Sequence, residues 1–237
     1  MRNSRKVTAL LGSTRGENTV TESIVDYIIK ETEKLQKEQL TEKKKIIINK
    51  YRVYQLFKDI DRINNLVQEI KESDLLIICS PVYVHTLPYP VTDMMEQLSN
   101  KTNEEFWQGK QMLAIIHNGY PQPIQRQASL EICENFAEQL GIEYLGGLGF
   151  GGSPIIAGRS LEEVGRFTKW MRASFDEVCK SSIIDGSEIT DTAKNYADKH
   201  FPSFIPLWVL KTFMNMIIKK QARDKGIDIY SQPYLED

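Results

Sequence analysis

Short apolar runs alternate along the chain with stretches in which apolar residues recur every three or four positions. The runs are Val7–Leu11, Ile46-Ile47-Ile48, Leu75–Cys79, Met112–Ile116 and Tyr144–Phe150. Their shortness and aliphatic content predict strands, and Leu75-Leu76-Ile77-Ile78-Cys79 has the unbroken character of a strand buried on both faces. Val20, Ile24, Ile28 and Leu35 fall on one helical face, which predicts a helix over about 19–38. Ile60, Ile63, Leu66, Val67 and Ile70 mark a second helix, and Val91, Met94, Met95 and Leu98 a third. Leu130, Phe136, Ala137 and Leu140 belong to a fourth that stops near Gly141. Ser160-Leu161-Glu162-Glu163 has the form of a capping box opening a fifth, with Val164, Phe167, Met171, Phe175 and Val178 on one face.

Strands and helices in strict alternation predict an α/β fold, a parallel sheet covered on both faces. In such sheets ligands bind at the carboxyl ends of the strands, near the topological switch point. Three loops fall at such ends: the one from Ser13, Ser80-Pro81-Val82-Tyr83, and His117-Asn118-Gly119-Tyr120. From about Ser181 the alternation ceases. A polar helix follows Ile189-Thr190-Asp191, and after His200-Phe201-Pro202 comes a strongly apolar stretch, Phe204 to Ile218, closed by Gly226. The expected division is therefore a main domain over 1–182 and a helical C-terminal extension over 183–237, packed on the domain or on a second copy.

Composition narrows the function classes. The 237 residues are 41% hydrophobic and 26% charged, enough for one substantial core. A formal charge of -2 carries no electrostatic footprint for nucleic acid. Cys79, Cys133 and Cys179 are odd in number, far apart and without CxxC spacing, which argues against a disulfide framework or structural zinc and for a reducing, cytoplasmic compartment. The basic segment Met1–Lys6 leads into an apolar run that stops at Gly12, so it is not read as a signal peptide. No apolar stretch reaches the length of a membrane span.

The most informative segment is Gly12-Ser13-Thr14-Arg15-Gly16-Glu17-Asn18-Thr19, between the first strand and the first helix. Hydroxyls, an amide and a guanidinium gather where helix N–H groups lack partners and the helix dipole is positive, the chemistry of a phosphate site. Thr19-Val20-Thr21-Glu22 also fits a capping box, which would engage the Thr19 hydroxyl locally. The loop lacks the Gly-Lys-Ser/Thr ending of a Walker A loop, which argues against ATP or GTP chemistry.

Gly12-Ser13-x-Arg15-Gly16-x-Asn18-Thr19 resembles the phosphate loop of the flavodoxin-like NAD(P)H-dependent FMN reductases. Ser80-Pro81-Val82-Tyr83, continuing through Thr86-Leu87-Pro88, resembles that family's second flavin loop, and Asn118-Gly119-Tyr120-Pro121 stands where its third would fall. The resemblance spans about positions 5–180. It implies a flavodoxin-like, doubly wound five-stranded parallel sheet in the order 2-1-3-4-5. It implies FMN as cofactor and NAD(P)H as co-substrate, with hydride passed to the flavin and on to a quinone, nitro compound, free flavin or similar acceptor. Ser13, Arg15, Asn18 and Thr19 would hold the FMN phosphate. Pro81, Val82, Tyr83 and Val84 would line the ring and offer backbone N–H groups to its polar edge, and Asn118, Gly119 and Tyr120 would close the other side. No catalytic residue is implied; Tyr83 and His85 are the candidates nearest the ring. Glu17 stands where the family has serine, and Val84-His85 where it has a large aromatic and then a small residue. No cysteine lies between Asn49 and Ile78, so no iron–sulfur cluster is expected. The family also implies a homodimer.

Other motifs are read more plainly. Gly147-Leu148-Gly149-Phe150-Gly151-Gly152 matches GxGxxG, but no helix opens directly behind it, and close packing at the end of the last strand is the better reading. His117 ends a buried strand and reads as structural, and Cys79 as a small buried hydrophobe. No histidine has the partners a metal would need. The basic, apolar C-terminal helix is read as a packing or dimer element rather than a membrane-surface one. The closing Tyr230-Ser231-Gln232-Pro233-Tyr234 resembles the tail of some bacterial members. Two alternatives stand beside the reductase: a flavin-free interaction module with a decayed site, and a flavodoxin-type electron carrier.

Overall fold

In the computed structural model, residues 4–38, 45–57, 59–199 and 206–228 are described. Met1 to Asn3, Lys43-Lys44, His200-Phe201-Pro202, Phe204-Ile205 and the Tyr230–Tyr234 segment lie outside these residues. The chain divides into two compact units, 1–200 and 201–237.

The first unit runs β1 (Ser4–Leu11), α1 (Val20–Glu38), β2 (Lys45–Arg52), α2 (Val53–Leu56), α3 (Ile60–Glu72), β3 (Leu75–Pro81), α4 (Tyr89–Lys101), α5 (Glu104–Trp107), β4 (Gln111–His117), α6 (Ile124–Leu140), β5 (Glu143–Phe150), α7 (Leu161–Val164), α8 (Lys169–Val178) and α9 (Asp191–Ala197). The strands form one parallel sheet in the order β2-β1-β3-β4-β5. Side chains alternate across it with the two-residue period of a strand. Val7, Ala9, Leu11, Leu75, Ile77, Cys79, Leu113 and Ile115 face a core shared with α1 and α8. Leu10, Leu76, Ile78, Met112, Ala114 and Ile116 face the opposite core, shared with α3, α4 and α6. The central strands are thus buried on both sides, which is why they read as unbroken apolar runs.

The expected fifth helix is two helices. Ser160 opens α7 with a reciprocal capping box to Glu163, but Gly165 takes a φ of 68° and ends it after one turn. A 3-10 turn, Gly165–Thr168, leads into α8, pinned by Thr168 Oγ1 donating to the Leu161 carbonyl at 2.5 Å. Phe167 falls in this turn and leaves the buried row that Met171, Phe175 and Val178 keep. α8 continues as a π-helical segment, Cys179–Ile184. Ile183, Ile189, Ala193 and Ala197 join the core beside β1, so the chain from 183 to 197 packs on the sheet. Ile189 N–H donates to the Leu145 carbonyl at 2.8 Å and ties the segment to β5.

In the second unit, α10 (Leu207–Asp224) ends at Gly226, whose φ of 67° and N–H to the Arg223 carbonyl at 3.0 Å make a left-handed cap. Trp208, Phe213 and Met216 are exposed. Among the described residues, no helix is long and apolar enough to cross a membrane.

Candidate functional site

The carboxyl ends of β1, β3, β4 and β5 surround a cavity of about 410 Å³. It lies beside the topological switch between β1 and β3, where the connection from β1 leads to β2 on one side and that from β3 to β4 on the other. Ser13, Arg15, Asn18, Thr19, Pro81, Val82, Tyr83, Asn118 and Gly119 line it. Val84, His85 and Tyr120 do not: Val84 is 92% exposed at the tip of its loop, and Tyr120 half-exposed at the rim.

The first loop is built for an anion. Gly12 starts it by closing on β3, where a Cβ would stand 2.5 Å from Ser80 Oγ and 2.8 Å from Val91. Thr19 caps α1, its Oγ1 accepting from Glu22 N–H at 3.2 Å, and so keeps its own hydroxyl proton to donate. The Glu22 carboxylate reaches back one residue beyond the usual box, accepting from Asn18 N–H at 3.0 Å. Its other oxygen meets Lys50 at 3.3 Å and also Arg52, both on β2. Burial opposes this charge, but the Asn18 and Lys50 hydrogen bonds and the Arg52 cation outweigh it and hold Glu22 below its ordinary pKa. Asn18 is thereby fixed at a φ of 57°. The N–H groups of Ser13, Gly16, Thr19 and Val20 have no acceptor among the described residues. Glu17 is exposed and not part of the cavity wall, which keeps its carboxylate in water.

The second loop is a tight two-residue turn. Tyr83 and Thr86 exchange backbone hydrogen bonds at 2.9 and 3.2 Å, with Val84 and His85 between them at φ 50° and 65°. This is the conformation that Asn-Gly favours, imposed here on a β-branched residue. It alters the expected donor pattern. Val82 N–H is engaged by the His117 carbonyl at 2.9 Å and Tyr83 N–H by Thr86, while Pro81 has no N–H. The wall formed by Pro81, Val82 and Tyr83 is therefore a surface, not a row of backbone donors. Tyr83 OH accepts from Thr14 Oγ1 at 3.3 Å and so bridges the first two loops.

The third loop supplies donors. Asn118 N–H is engaged by the Phe150 carbonyl at 3.0 Å, but Gly119 N–H has no acceptor among the described residues. Beneath it His117 is buried and lies within hydrogen-bond distance of Thr21 and Ser153. Burial pushes its pKa down to about 3, so the ring is neutral. Cys79 is buried under the site, and burial raises its thiol pKa, which makes it a packing residue rather than a nucleophile.

A fourth wall comes from the segment after β5: Ser153, Pro154, Ala157 and Gly158. Gly158, at a φ of 77°, lies flat on the Asn18 carbonyl, where any Cβ would collide. These residues, with Val20, Thr21 and His117, complete the cavity and were not among the expected binding residues. The available sequence signal was their place at the carboxyl end of the fifth strand, followed by Gly-Gly-Ser-Pro. The preceding glycines are spacers: a Cβ at Gly147 would meet Leu130 at 2.6 Å, and one at Gly149 would meet Arg126 at 3.0 Å.

Solved structures similar to this one share its fold. An oxidoreductase from Corynebacterium diphtheriae matches at a TM-score of 0.55 and 11% identity, over 82% of this chain and 96% of its own. RosB, solved with 8-demethyl-8-formylriboflavin-5'-phosphate, matches at 0.54 and 12%, over 99% and 95%. An FMN-dependent NADH-azoreductase from Bacillus anthracis, solved with FMN, matches at 0.51 and 14%, over 74% and 97%. No curated protein matches by sequence. The family profile for NADPH-dependent FMN reductase matches residues 5–129, more than half of the chain and all of the first three loops. The chain belongs to the NADPH-dependent FMN reductase family and is an oxidoreductase with FMN as its cofactor.

Proposed function

We propose that the cavity holds FMN with its phosphate on the first loop and its ring between the second and third, and that the protein reduces a small acceptor at the expense of NAD(P)H. The carrying observation is that the N–H groups of Ser13, Thr19 and Val20, which line the cavity along the first loop and at the start of α1, have no acceptor among the described residues and are flanked by the Ser13 and Thr19 hydroxyls, Asn18 and Arg15. Such donors are preorganised for a phosphate dianion and are costly to leave unmet. Pro81, Val82 and Tyr83 offer an apolar face to a flat ring, and Asn118 and Gly119 offer hydrogen bonds to its polar edge. When bound, FMN supplies hydride acceptance from the nicotinamide and electron release to the second substrate. The protein's own part is to bind, orient and exclude water. His117, neutral and closed off by Thr21 and Ser153, holds its proton within the wall.

The acceptor class we propose is a quinone, nitro compound or free flavin: small, flat and able to lie on an open ring. Val84, Tyr83 and Tyr120 expose apolar surface around the mouth, which supports a homodimer in which the partner covers the ring. Three buried free thiols support a reducing, cytoplasmic location.

The test is FMN uptake by the purified protein, read as flavin absorbance retained after gel filtration, followed by NADPH and NADH oxidation with a quinone acceptor. Arg15→Ala with Asn18→Ala should weaken FMN binding by about tenfold or more, the loss of at least one charge-assisted contact. Unchanged affinity in that double variant would remove the phosphate assignment.

A further inference from the structure

The third residue of α6 is an arginine whose sequence context, Gln125-Arg126-Gln127, is that of an ordinary polar helix position. Arg126 is instead 3% exposed. Its Nη1 donates to Asn118 Oδ1 at 2.8 Å and to the Tyr120 carbonyl at 2.9 Å, and Nη2 reaches the Pro121 carbonyl at 3.5 Å. Gly149 and Gly151 make room for it: a Cβ at either would stand 3.0 or 3.1 Å from a guanidinium nitrogen. Burial lowers its pKa to about 10, which leaves it charged at neutral pH. Among the described residues its hydrogen-bond partners are all neutral oxygens and its Nε has none, and the Asp198 charge offsets only part of the effect of burial. Hydrogen bonds to neutral oxygens do not by themselves repay the burial of a cation. Its position calls for another reason.

That reason lies in Asn118. Arginine carries only donors, so the Asn118 atom it meets must be the carbonyl oxygen. The amide nitrogen of Asn118 has no partner among the described residues, and Asn118 lines the cavity. We infer that Arg126 is a positioning residue that holds Asn118 with its amide N–H groups toward the cavity, so that this wall recognises a hydrogen-bond acceptor such as a flavin carbonyl oxygen. The same guanidinium ties the Tyr120 and Pro121 carbonyls and so fixes the loop from 118 to 121 as one piece. This inference rests on the FMN reading above.

The experiment is an FMN titration of the full-length protein, followed by flavin fluorescence, with denaturant unfolding of each apo variant alongside. Asn118→Asp separates folding from recognition. A carboxylate still accepts from Arg126, now as an ion pair, but turns an acceptor toward the cavity. Stability should equal or exceed that of the wild type, while the FMN dissociation constant rises about tenfold or more, as expected for one hydrogen bond replaced by repulsion. Arg126→Met should weaken FMN binding in the wild-type background and add less than about threefold on top of Asn118→Ala, because the two residues act through one contact. Asn118→Asp binding FMN as tightly as the wild type overturns the inference, as do effects of Arg126→Met and Asn118→Ala that multiply in full. If Arg126→Met does not fold, Asn118→Asp decides alone. Wild-type protein that takes up no FMN overturns the FMN reading itself, before any variant is compared.

Discussion

His117 Nε2 lies 2.9 Å from Thr21 Oγ1, which joins the end of β4 to the first turn of α1 across the floor of the cavity. The other ring nitrogen lies 3.0 Å from Ser153 Oγ. The residue is 4% exposed, and this burial is what disfavours a charge on the imidazole. Its protonation belongs to the unfolded chain.

That difference has a sign. Burial moves the His117 pKa from 6.5 down to about 3, so between these values the unfolded chain holds a proton that the folded one does not. Stability therefore falls as pH drops below about 6.5, at up to about 1.4 kcal/mol per pH unit from this residue. Denaturant midpoints at pH 7 and pH 5 should show the loss in the wild type and a shallower one in His117→Gln. Equal pH slopes would refute the assignment.

Gly158 against Asn18 predicts a local effect of a single methyl. Gly158→Ala meets the Asn18 carbonyl and a φ of 77° together. It should cost about 1–3 kcal/mol of stability and weaken FMN binding, because the first loop must move. Gly109→Ala is the control. Its φ of 72° is similar, but nothing lies within 4 Å of the new methyl. It should lose some stability and keep wild-type FMN affinity, as read by the same titration.

Glu17 is exposed, two residues from Arg15 on the phosphate loop. Its charge opposes that of the phosphate through water, so Glu17→Gln should tighten FMN binding by about two- to fivefold at low salt. The gain should shrink in half-molar salt. A gain independent of salt would mean that the variant acts by reshaping the loop rather than through charge.

Val84 at a φ of 50° is a strained residue on a loop tip, 92% exposed and with little packing to compensate. Replacing Val84-His85 by Asn-Gly should stabilise the protein by about 1–2 kcal/mol. Urea denaturation reads this directly. No gain would place the strain elsewhere, in the Tyr83–Thr86 backbone pair.

The strands, their alternation with helices and the three loops at their carboxyl ends were legible because each depends on local chemistry. Leu75–Cys79 had to be buried on both faces, and the hydroxyls and amide after Leu11 had to meet a helix start. Local pattern also announced the Ser160 capping box, but could not show that Gly165 adopts a left-handed φ and breaks the helix behind it.

What only the tertiary structure decided was set by contacts between distant parts of the chain. Ser153 to Gly158 reach the cavity because β5 lies beside β4, which places Ser153 against His117 and Gly158 on Asn18. Val82 N–H is engaged by the His117 carbonyl because β3 pairs with β4, so a loop that reads as a donor row presents an apolar wall instead. Arg126 gives no sign of burial in the sequence, because it is a single position in a polar turn. Its burial follows from two glycines at and just beyond the end of β5 and three oxygens on the loop after β4. Periodicity along a chain encodes which face of an element is apolar. It does not encode which element will lie against that face, and it is that second fact that fixes the cavity wall.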